Sequence, residues 1–127
     1  MTTVVAAVIE RNGQILIAQR KNAGPHALKW EFPGGKVEPG ETPPAALLRE
    51  LTEELAITAR IDREIMRYEF QYPQRPPILL IFYRILEFTG HPQNLNFEQI
   101  QWTPWALLSS HDFLEGDTRF LKTWRRD

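Results

Sequence analysis

The segment 35–57 of this chain, GKVEPGETPPAALLRELTEELAI, predicts one helix with two opposed faces, and that helix limits the folds open to the chain. Glu53 and Glu54 follow Glu50 by three and four residues, a spacing that places their side chains on one face of a helix. Leucines at the same spacing form an apolar stripe: Leu47, Leu48, Leu51 and Leu55. The fold must therefore bury the apolar face and leave the acidic face open to a ligand.

The start of this helix is well marked. Thr42 can cap it, and Pro43 falls in the first turn, where a missing N–H has no consequence. We therefore predict a helix over residues 43–56. Before it we predict a loop that contains Pro33, Gly34, Gly35, Pro39 and Gly40. Glycine lets backbone groups come close to a metal or a phosphate.

The acidic face needs a positive partner, because three like charges repel one another. Arg49 is the one cation within residues 43–56 and stands one step off the cluster. Carboxylate oxygens suit hard cations such as Mg²⁺ or Mn²⁺, which often bridge to the phosphates of a substrate. The pattern thus favours a metal-dependent enzyme that acts on a diphosphate. The alternative is an acidic helix face that is merely solvated.

The residues at fixed offsets in this segment resemble the Nudix box. They are Gly35, Glu41, Arg49-Glu50-Leu51, Glu53-Glu54 and Ala56-Ile57, with Ala56 where the family pattern has Gly. The opening VVAAVIERNGQILIAQR and the lead-in KWEFPGGKVEPGE also resemble the MutT branch of that family, the nucleotide-pool sanitising enzymes. The resemblance implies the Nudix fold, an α/β sandwich of α/β/α layers with a mixed β-sheet.

Other segments predict elements that fit such a sheet. Residues 4–10 and 14–20 read as strands joined at Asn12-Gly13, a strong hairpin signal. Residues 57–72 and 78–88 read as a second, longer hairpin, separated by a proline-rich breaker. The tail predicts a short strand near Gln101-Trp102, a helix from about Pro104 and a last helix over 117–124.

Length and composition set further expectations. A chain of 127 residues predicts a single domain over 1–127. Without a long apolar run or a signal-like start, we expect a soluble, cytoplasmic protein that contacts no membrane. The absence of cysteine excludes disulfides and thiolate ligands. A net charge of −1 gives no case for binding a nucleic-acid polymer.

The C-terminal segment leaves two questions open. Its basic residues, Arg119, Lys122, Arg125 and Arg126, are interpreted as a solvated helix face. Trp124 could serve a dimer contact or cap the core. We expect either a monomer or a homodimer.

Metal-binding roles follow from the resemblance. It implies that Glu50, Glu53 and Glu54 hold the catalytic divalent ions, Mg²⁺ or alternatively Mn²⁺. Glu50 is also the residue that we expect to take a proton from the attacking water. The Gly34 carbonyl matches a backbone metal ligand of MutT-like enzymes, and Glu98 falls near one further metal-binding carboxylate.

Supporting and phosphate-binding roles are implied in the same way. Glu41 and Arg49 match a pair that steadies the loop against the helix, and we count both with the catalytic residues. Arg20 and Lys36 match basic residues near the triphosphate.

A nucleobase needs an apolar slot and a few polar groups that contact its edge. Candidates for the slot are Val4, Ala6, Phe32, Tyr68, Phe70 and Phe82. Of these we select Phe32, Tyr68 and Phe82 as substrate-binding residues. Asp117 falls where MutT relatives carry a base-reading residue. Its carboxyl group suits a base edge rich in N–H groups, which 8-oxoguanine and cytosine both offer.

The function that we predict is a Mg²⁺-dependent pyrophosphohydrolase, which converts a nucleoside triphosphate and water into a monophosphate and pyrophosphate. Its substrate would be an oxidised nucleotide such as 8-oxo-dGTP. One alternative substrate is CTP or a modified dCTP. Another is ADP-ribose, because Pro73 lies sixteen residues beyond the box, as in hydrolases of that compound. The last alternative is a Nudix-like nucleotide-binding module without catalysis.

Overall fold

A computed structural model describes residues 1–124. Arg125 and Arg126 lie outside the described residues. The strands are β1 (Thr2–Arg11), β2 (Gln14–Gln19), β3 (Trp30–Glu31), β4 (Gly34–Lys36), β5 (Thr58–Phe70), β6 (Ile78–Thr89) and β7 (Gln99–Pro104). The helices are α1 (Pro43–Leu55), a 3₁₀ helix (Trp105–Ser110) and α2 (Glu115–Thr123).

The first hairpin forms as predicted, but its strands soon separate. Asn12 and Gly13 both have positive φ, 53° and 75°, as a tight two-residue hairpin turn requires. β1 pairs with β2 only next to this turn. Farther along, β1 runs parallel to β6 and antiparallel to β4, whereas β2 pairs with β3 and β7. The result is the predicted mixed sheet, with its main strands in the order β3-β2-β1-β6-β5.

The second hairpin is also confirmed. β5 and β6 pair antiparallel over almost their whole length, from Thr58 opposite Thr89 to Phe70 opposite Ile78. Three register shifts interrupt the pairing between Arg60 and Met66. Such irregularities bend a strand and increase its twist.

Helices cover the two faces of the sheet, as the predicted sandwich requires. On one face α1 buries Leu47, Leu51 and Leu55 against alternate residues of β1 and β6. Leu48, predicted as part of this stripe, is 37% exposed because it falls at the edge of the buried face. On the other face an aromatic cluster packs against the sheet: Trp30, Phe32, Tyr68, Phe82, Phe113, Phe120 and Trp124. Trp124 therefore caps the core.

Three details differ from the prediction. The glycine-rich segment is not wholly loop, since β4 forms within it and pairs with β1. The helix after Pro104 is a 3₁₀ helix, and α2 begins at Glu115. Ala56 follows the end of α1 in a left-handed conformation, with φ 57°, and its N–H donates to the Thr52 carbonyl. Glycine favours that conformation, so Ala56 keeps the turn that the Nudix pattern specifies.

Within residues 1–124, none of the helices is both long enough and apolar enough to cross a membrane.

Candidate active site

A cavity of about 630 Å³ opens beside α1 and reaches the aromatic face of the sheet. We call one part of its lining the box region, defined by Gly34, Gly35, Glu50, Glu54 and Asn96. We call the other part the Asp117 region, defined by Phe32, Tyr72, Leu80, Leu114 and Asp117. Glu31 interacts electrostatically with both Glu54 and Asp117, so the two regions belong to one site.

Two glycines allow the box region to close tightly. A Cβ atom on Gly34 would lie 1.9 Å from the Val5 carbonyl oxygen, inside the pairing of β4 with β1. A Cβ atom on Gly35 would lie 2.6 Å from the Glu50 carboxylate. The first glycine is thus required by the sheet and the second by the carboxylate.

Arg49 joins the glycine-rich segment to α1. It donates two hydrogen bonds to Glu41, of 2.6 and 2.9 Å, and a third of 3.2 Å to the Lys36 carbonyl. The bonds from Arg49 and the Glu38 N–H lower the pKa of Glu41 to about 2. The Glu41 and Arg49 side chains therefore connect loop and helix through a two-pronged ion pair, a geometry that suits guanidinium.

The box carboxylates do not share one environment. Glu53 is half-exposed and accepts a hydrogen bond of 3.2 Å from Arg49. Glu50 lines the cavity and accepts one of 2.8 Å from the same guanidinium. Burial raises the pKa of Glu50, and Arg49 acts against this rise.

Glu54 is the most perturbed carboxylate of the box region. Burial, followed by repulsion from Glu50 and Glu31, raises its pKa to about 8. The Asn96 amide and the Gly34 N–H favour the charged form and offset only part of this rise. Desolvation and like charges both disfavour a second negative charge here. The charged form of Glu54 would therefore be stabilised by a further cation bound in this region.

The donor set fits a hard divalent cation. Among residues 1–124, Glu54 Oε1 is buried and accepts no hydrogen bond of good geometry. Since Glu53 turns to Arg49, no three carboxylate or imidazole groups of the described residues converge on one point. Two carboxylates of the box, Glu50 and Glu54, line the cavity. Mg²⁺ is commonly bound by one or two carboxylates together with water and substrate phosphates.

Glu98 does not join this group. It is exposed and does not line the cavity, and its N–H donates to the Gln19 carbonyl, which continues the pairing of β7 with β2. Asn96, two residues earlier, lines the cavity and donates a hydrogen bond of 3.1 Å to Glu54 Oε2. The side chain that lies beside the box from this segment is therefore an amide and not a carboxylate.

Asp117 is 5% exposed and lines the cavity. Its Oδ2 accepts a hydrogen bond of 3.2 Å from the Phe32 N–H. Burial, followed by repulsion from Glu31, raises the pKa of Asp117 to about 8. At neutral pH this side chain is therefore a carboxylic acid, with one O–H donor and one carbonyl acceptor.

The predicted apolar slot is only partly formed by the residues that we selected. Phe32 lines the cavity together with Val4 and Ala6. Tyr68 and Phe82 do not line it and belong to the aromatic core, where their rings lie 5.6 Å apart. Both project from β5 and β6 into the layer covered by α2. Phe70 also lies outside the cavity lining and packs against Tyr72.

Both predicted phosphate-binding cations, Arg20 and Lys36, line the cavity. Arg20 forms an ion pair with Glu31 at 3.2 Å. Burial raises the pKa of Glu31, and Arg20 lowers it in compensation.

The NUDIX domain family matches residues 1–124. This chain is a Nudix protein. It is 38% identical over 119 residues to the 8-oxo-dGTP diphosphatase of Haemophilus influenzae, an alignment that covers 92% of this chain and 87% of the relative. It is 41% identical over 102 residues to the CTP pyrophosphohydrolase of Escherichia coli, and this alignment covers 80% of this chain and 75% of the relative.

Two solved structures agree with the fold. The solution structure of the Escherichia coli ORF135 protein superimposes with a TM-score of 0.86 at 36% identity, over 96% of this chain and 86% of that one. A MutT NUDIX hydrolase from Burkholderia pseudomallei gives the same TM-score at 25% identity, over 97% of each chain.

Several residues that line this site were not predicted, among them Glu31, Tyr72 and Asn96. Glu31 stands between the buried aromatics Trp30 and Phe32, and a carboxylate within such an apolar run is a signal that sequence reasoning could have used. Tyr72 lines the cavity and accepts a hydrogen bond of 3.0 Å from the Gly116 N–H. Its position depends on a contact with α2, and the residues next to Tyr72 in the sequence do not indicate that contact.

Proposed function

We propose that the chain is a divalent-metal-dependent nucleoside triphosphate pyrophosphohydrolase, with 8-oxo-dGTP as its preferred substrate. The observation that carries this proposal is one cavity that joins the box carboxylates to the buried carboxyl group of Asp117, whose pKa burial raises. The bond between the α and β phosphates breaks. Water supplies a hydroxyl group to one product and a proton to the other, which yields a monophosphate and pyrophosphate.

In this proposal Glu50, Glu54 and the Gly34 carbonyl hold Mg²⁺, and Mn²⁺ can replace it. The metal neutralises charge on the phosphate oxygens and lowers the pKa of bound water. Glu53 stays a proposed metal ligand as well, and its carboxylate must leave Arg49 to reach the cavity. The support for Glu54 is its buried Oε1, which accepts no hydrogen bond of good geometry from residues 1–124.

Glu50 is the residue that we propose as the general base. Its Oε1 is fixed by Arg49, and its carboxylate lies against Gly35 at the cavity wall. A base held in place beside the metal-binding oxygens is suited to take a proton from the attacking water. Glu41 and Arg49 support it by holding α1 and the glycine-rich segment together.

Arg20 and Lys36 would contact the phosphates that extend from the metal. Arg20 must then exchange its ion pair with Glu31 for a phosphate oxygen. Guanidinium is well suited to this exchange because it binds carboxylate and phosphate with the same paired donors.

The Asp117 region would hold the base. Phe32, Val4 and Ala6 supply apolar contact, and the Asp117 acid supplies one donor and one acceptor. The O6 and N7–H of 8-oxoguanine present the complementary pair side by side. Cytosine offers the N3 acceptor and an N4–H donor, so CTP is the second candidate. The CTP pyrophosphohydrolase name of the Escherichia coli relative is the observation that favours it.

The test is pyrophosphate release with Mg²⁺ from 8-oxo-dGTP, dGTP, CTP, 5-methyl-dCTP and ADP-ribose, with Glu54→Gln as the inactive control. We expect kcat/KM for 8-oxo-dGTP to exceed that for each other compound by about tenfold or more, equal to about 1.4 kcal/mol of transition-state binding. Preference for a cytosine nucleotide would favour the second candidate. Nucleotide binding without turnover, and equally strong without Mg²⁺, would identify a binding module.

A further inference from the structure

The segment 93–97 is attached to the end of α1, next to the box. The Gln93 N–H donates to the Leu55 carbonyl at 2.9 Å, and the Leu95 N–H donates to the Glu54 carbonyl at 3.1 Å. These carbonyls belong to the last turn of the helix, where carbonyl groups have no hydrogen-bond donors within the helix itself. The segment therefore takes its position from the same residues that carry the box.

Asn94 gives this segment its shape. Its Oδ1 accepts hydrogen bonds from the Phe97 N–H, at 2.7 Å, and from the Asn96 N–H, at 3.3 Å. Its Nδ2 donates to the Phe97 carbonyl at 2.8 Å. An asparagine that bonds to the backbone two residues later forms a compact turn. The backbone of Asn96 is thus held from both sides.

Asn96 meets Glu54 from this fixed position. Its Nδ2 donates to Glu54 Oε2 at 3.1 Å, while Oε1 accepts no hydrogen bond of good geometry within residues 1–124. A donor on one carboxylate oxygen fixes the rotation of the whole group. It also leaves the other oxygen available for a cation.

We propose that Asn96 is a positioning residue that orients the Glu54 carboxylate for a divalent cation. This inference rests on the proposed function, because it assigns Glu54 to the metal. Asn96 touches neither the metal nor the substrate in this role. It acts through Glu54, as hydrogen-bond partners of metal ligands commonly do.

The first measurement is Mn²⁺ affinity of the free protein, by titration followed with electron paramagnetic resonance. We expect Asn96→Ala to weaken Mn²⁺ binding by about tenfold, within the range found when such partners are removed. Leu95→Ala is the matched control: it lies in the same segment, its side chain is 55% exposed, and its backbone bond to Glu54 is kept. Equal affinity of Asn96→Ala and wild type would overturn the inference.

A second measurement separates positioning from a merely structural role. In a Glu54→Gln background, Asn96→Ala should change the remaining Mn²⁺ affinity by less than about twofold, since the coupled partner is already altered. An equal loss in both backgrounds would show that Asn96 supports the loop and does not act through Glu54.

The Mn²⁺ titration needs no nucleotide, so its outcome is separate from that of the substrate assay. Weaker Mn²⁺ binding by Asn96→Ala would support the positioning role even if none of the tested nucleotides is hydrolysed. A wild-type protein that binds no Mn²⁺ would overturn it. With an active enzyme, we expect kcat to fall by about tenfold while the nucleotide KM changes little.

Discussion

The box region and the Asp117 region line the same cavity but are built in opposite ways. The box region comes mainly from a short stretch of chain, in which α1 and the preceding glycines meet through local contacts. The Asp117 region is collected from β6, from α2 with the residue before it, and from residues that follow β3 and β5, all of which lie far apart in the sequence. Chemistry is thus encoded locally in this protein, whereas selectivity depends on tertiary packing.

The two regions also treat charge differently. In the box region Arg49 already contacts Glu41, Glu50 and Glu53, and Glu54 is left for a further cation. In the Asp117 region no cation of residues 1–124 is among the groups that shift the pKa of Asp117, and burial raises that pKa to about 8. Burial raises the pKa of Glu54 and that of Asp117 alike to about 8. The difference lies in the neighbours: Glu54 lies beside Glu50, where a bound cation would favour the charged form, whereas Asp117 is left as a neutral donor and acceptor.

The largest expected effect tests the box region. We expect Glu54→Gln to lower kcat/KM by about a thousandfold, a loss typical of a residue central to the chemistry. For Glu53→Gln the loss of kcat/KM should be at least about tenfold smaller, because Glu53 is half-exposed and bound to Arg49. Steady-state pyrophosphate release at saturating Mg²⁺ measures both. Equal losses would show that Glu53 enters the cavity as fully as Glu54.

The next effect separates the two glycines of the box region. Gly34→Ala should lower the free energy of unfolding by about 3 kcal/mol or more, since its Cβ would meet the Val5 backbone. Gly35→Ala should leave that free energy within about 1 kcal/mol of wild type and reduce kcat, because the Glu50 carboxylate can move. Urea unfolding and kinetics on the same samples give the answer. A well-folded Gly34→Ala protein would contradict the described pairing of β4.

The pH dependence of stability tests charge suppression in the Asp117 region. The pKa of Asp117 rises on folding from 3.8 to about 8, so the folded state holds a proton that the unfolded state releases. Stability should therefore fall as pH rises between about 4 and about 8. Asp117→Asn removes this loss. As pH rises, the free energy of unfolding of the variant should therefore increase relative to that of wild type by at most about 1.4 kcal/mol per pH unit.

Urea unfolding of both proteins in a metal chelator, across that pH range, isolates the Asp117 contribution from that of the other carboxylates. A difference in stability that does not change with pH would mean that Asp117 is ionised in the folded protein.

The smallest effect distinguishes the cavity from the core behind it. Phe82→Leu should lower the free energy of unfolding by about 1 kcal/mol, as conservative core replacements do. Its ratio of kcat/KM for 8-oxo-dGTP over CTP should stay within about twofold of wild type, because Phe82 is fully buried outside the cavity lining. Phe32→Leu, which alters the cavity wall, is the matched variant that should change the ratio more.

The sequence predicted α1 and both hairpins because their signals are local. The spacing of Leu47, Leu51 and Leu55, the cap at Thr42 and the Asn12-Gly13 turn each act within a few residues. β3 and β4 were missed because each has only two or three residues, too few for a period to appear. They exist because β1 and β2 diverge and leave pairing edges for them.

The site could be predicted to the same extent and for the same reason. Box residues follow from helix spacing and from the Nudix resemblance. That Tyr68 and Phe82 lie in the core could not be predicted, because alternation along a strand does not reveal which sheet face carries the cavity. Asn96 was missed because its contact with Glu54 joins residues 42 positions apart.

The parallel pairing of β1 with β6 sets the order in which the molecule can be assembled. Thr2 lies opposite Ile78 and Ile9 opposite Ile85, so this pairing closes a segment of more than seventy residues. The first hairpin can form within microseconds, but a contact of such long range is slow to find. During synthesis the edge of the apolar β1 that pairs with β6 must therefore stay open until β6 has emerged, even if β2 and β4 have already paired with it. The strand at the centre of the finished sheet is the one most exposed to aggregation while the protein is being made.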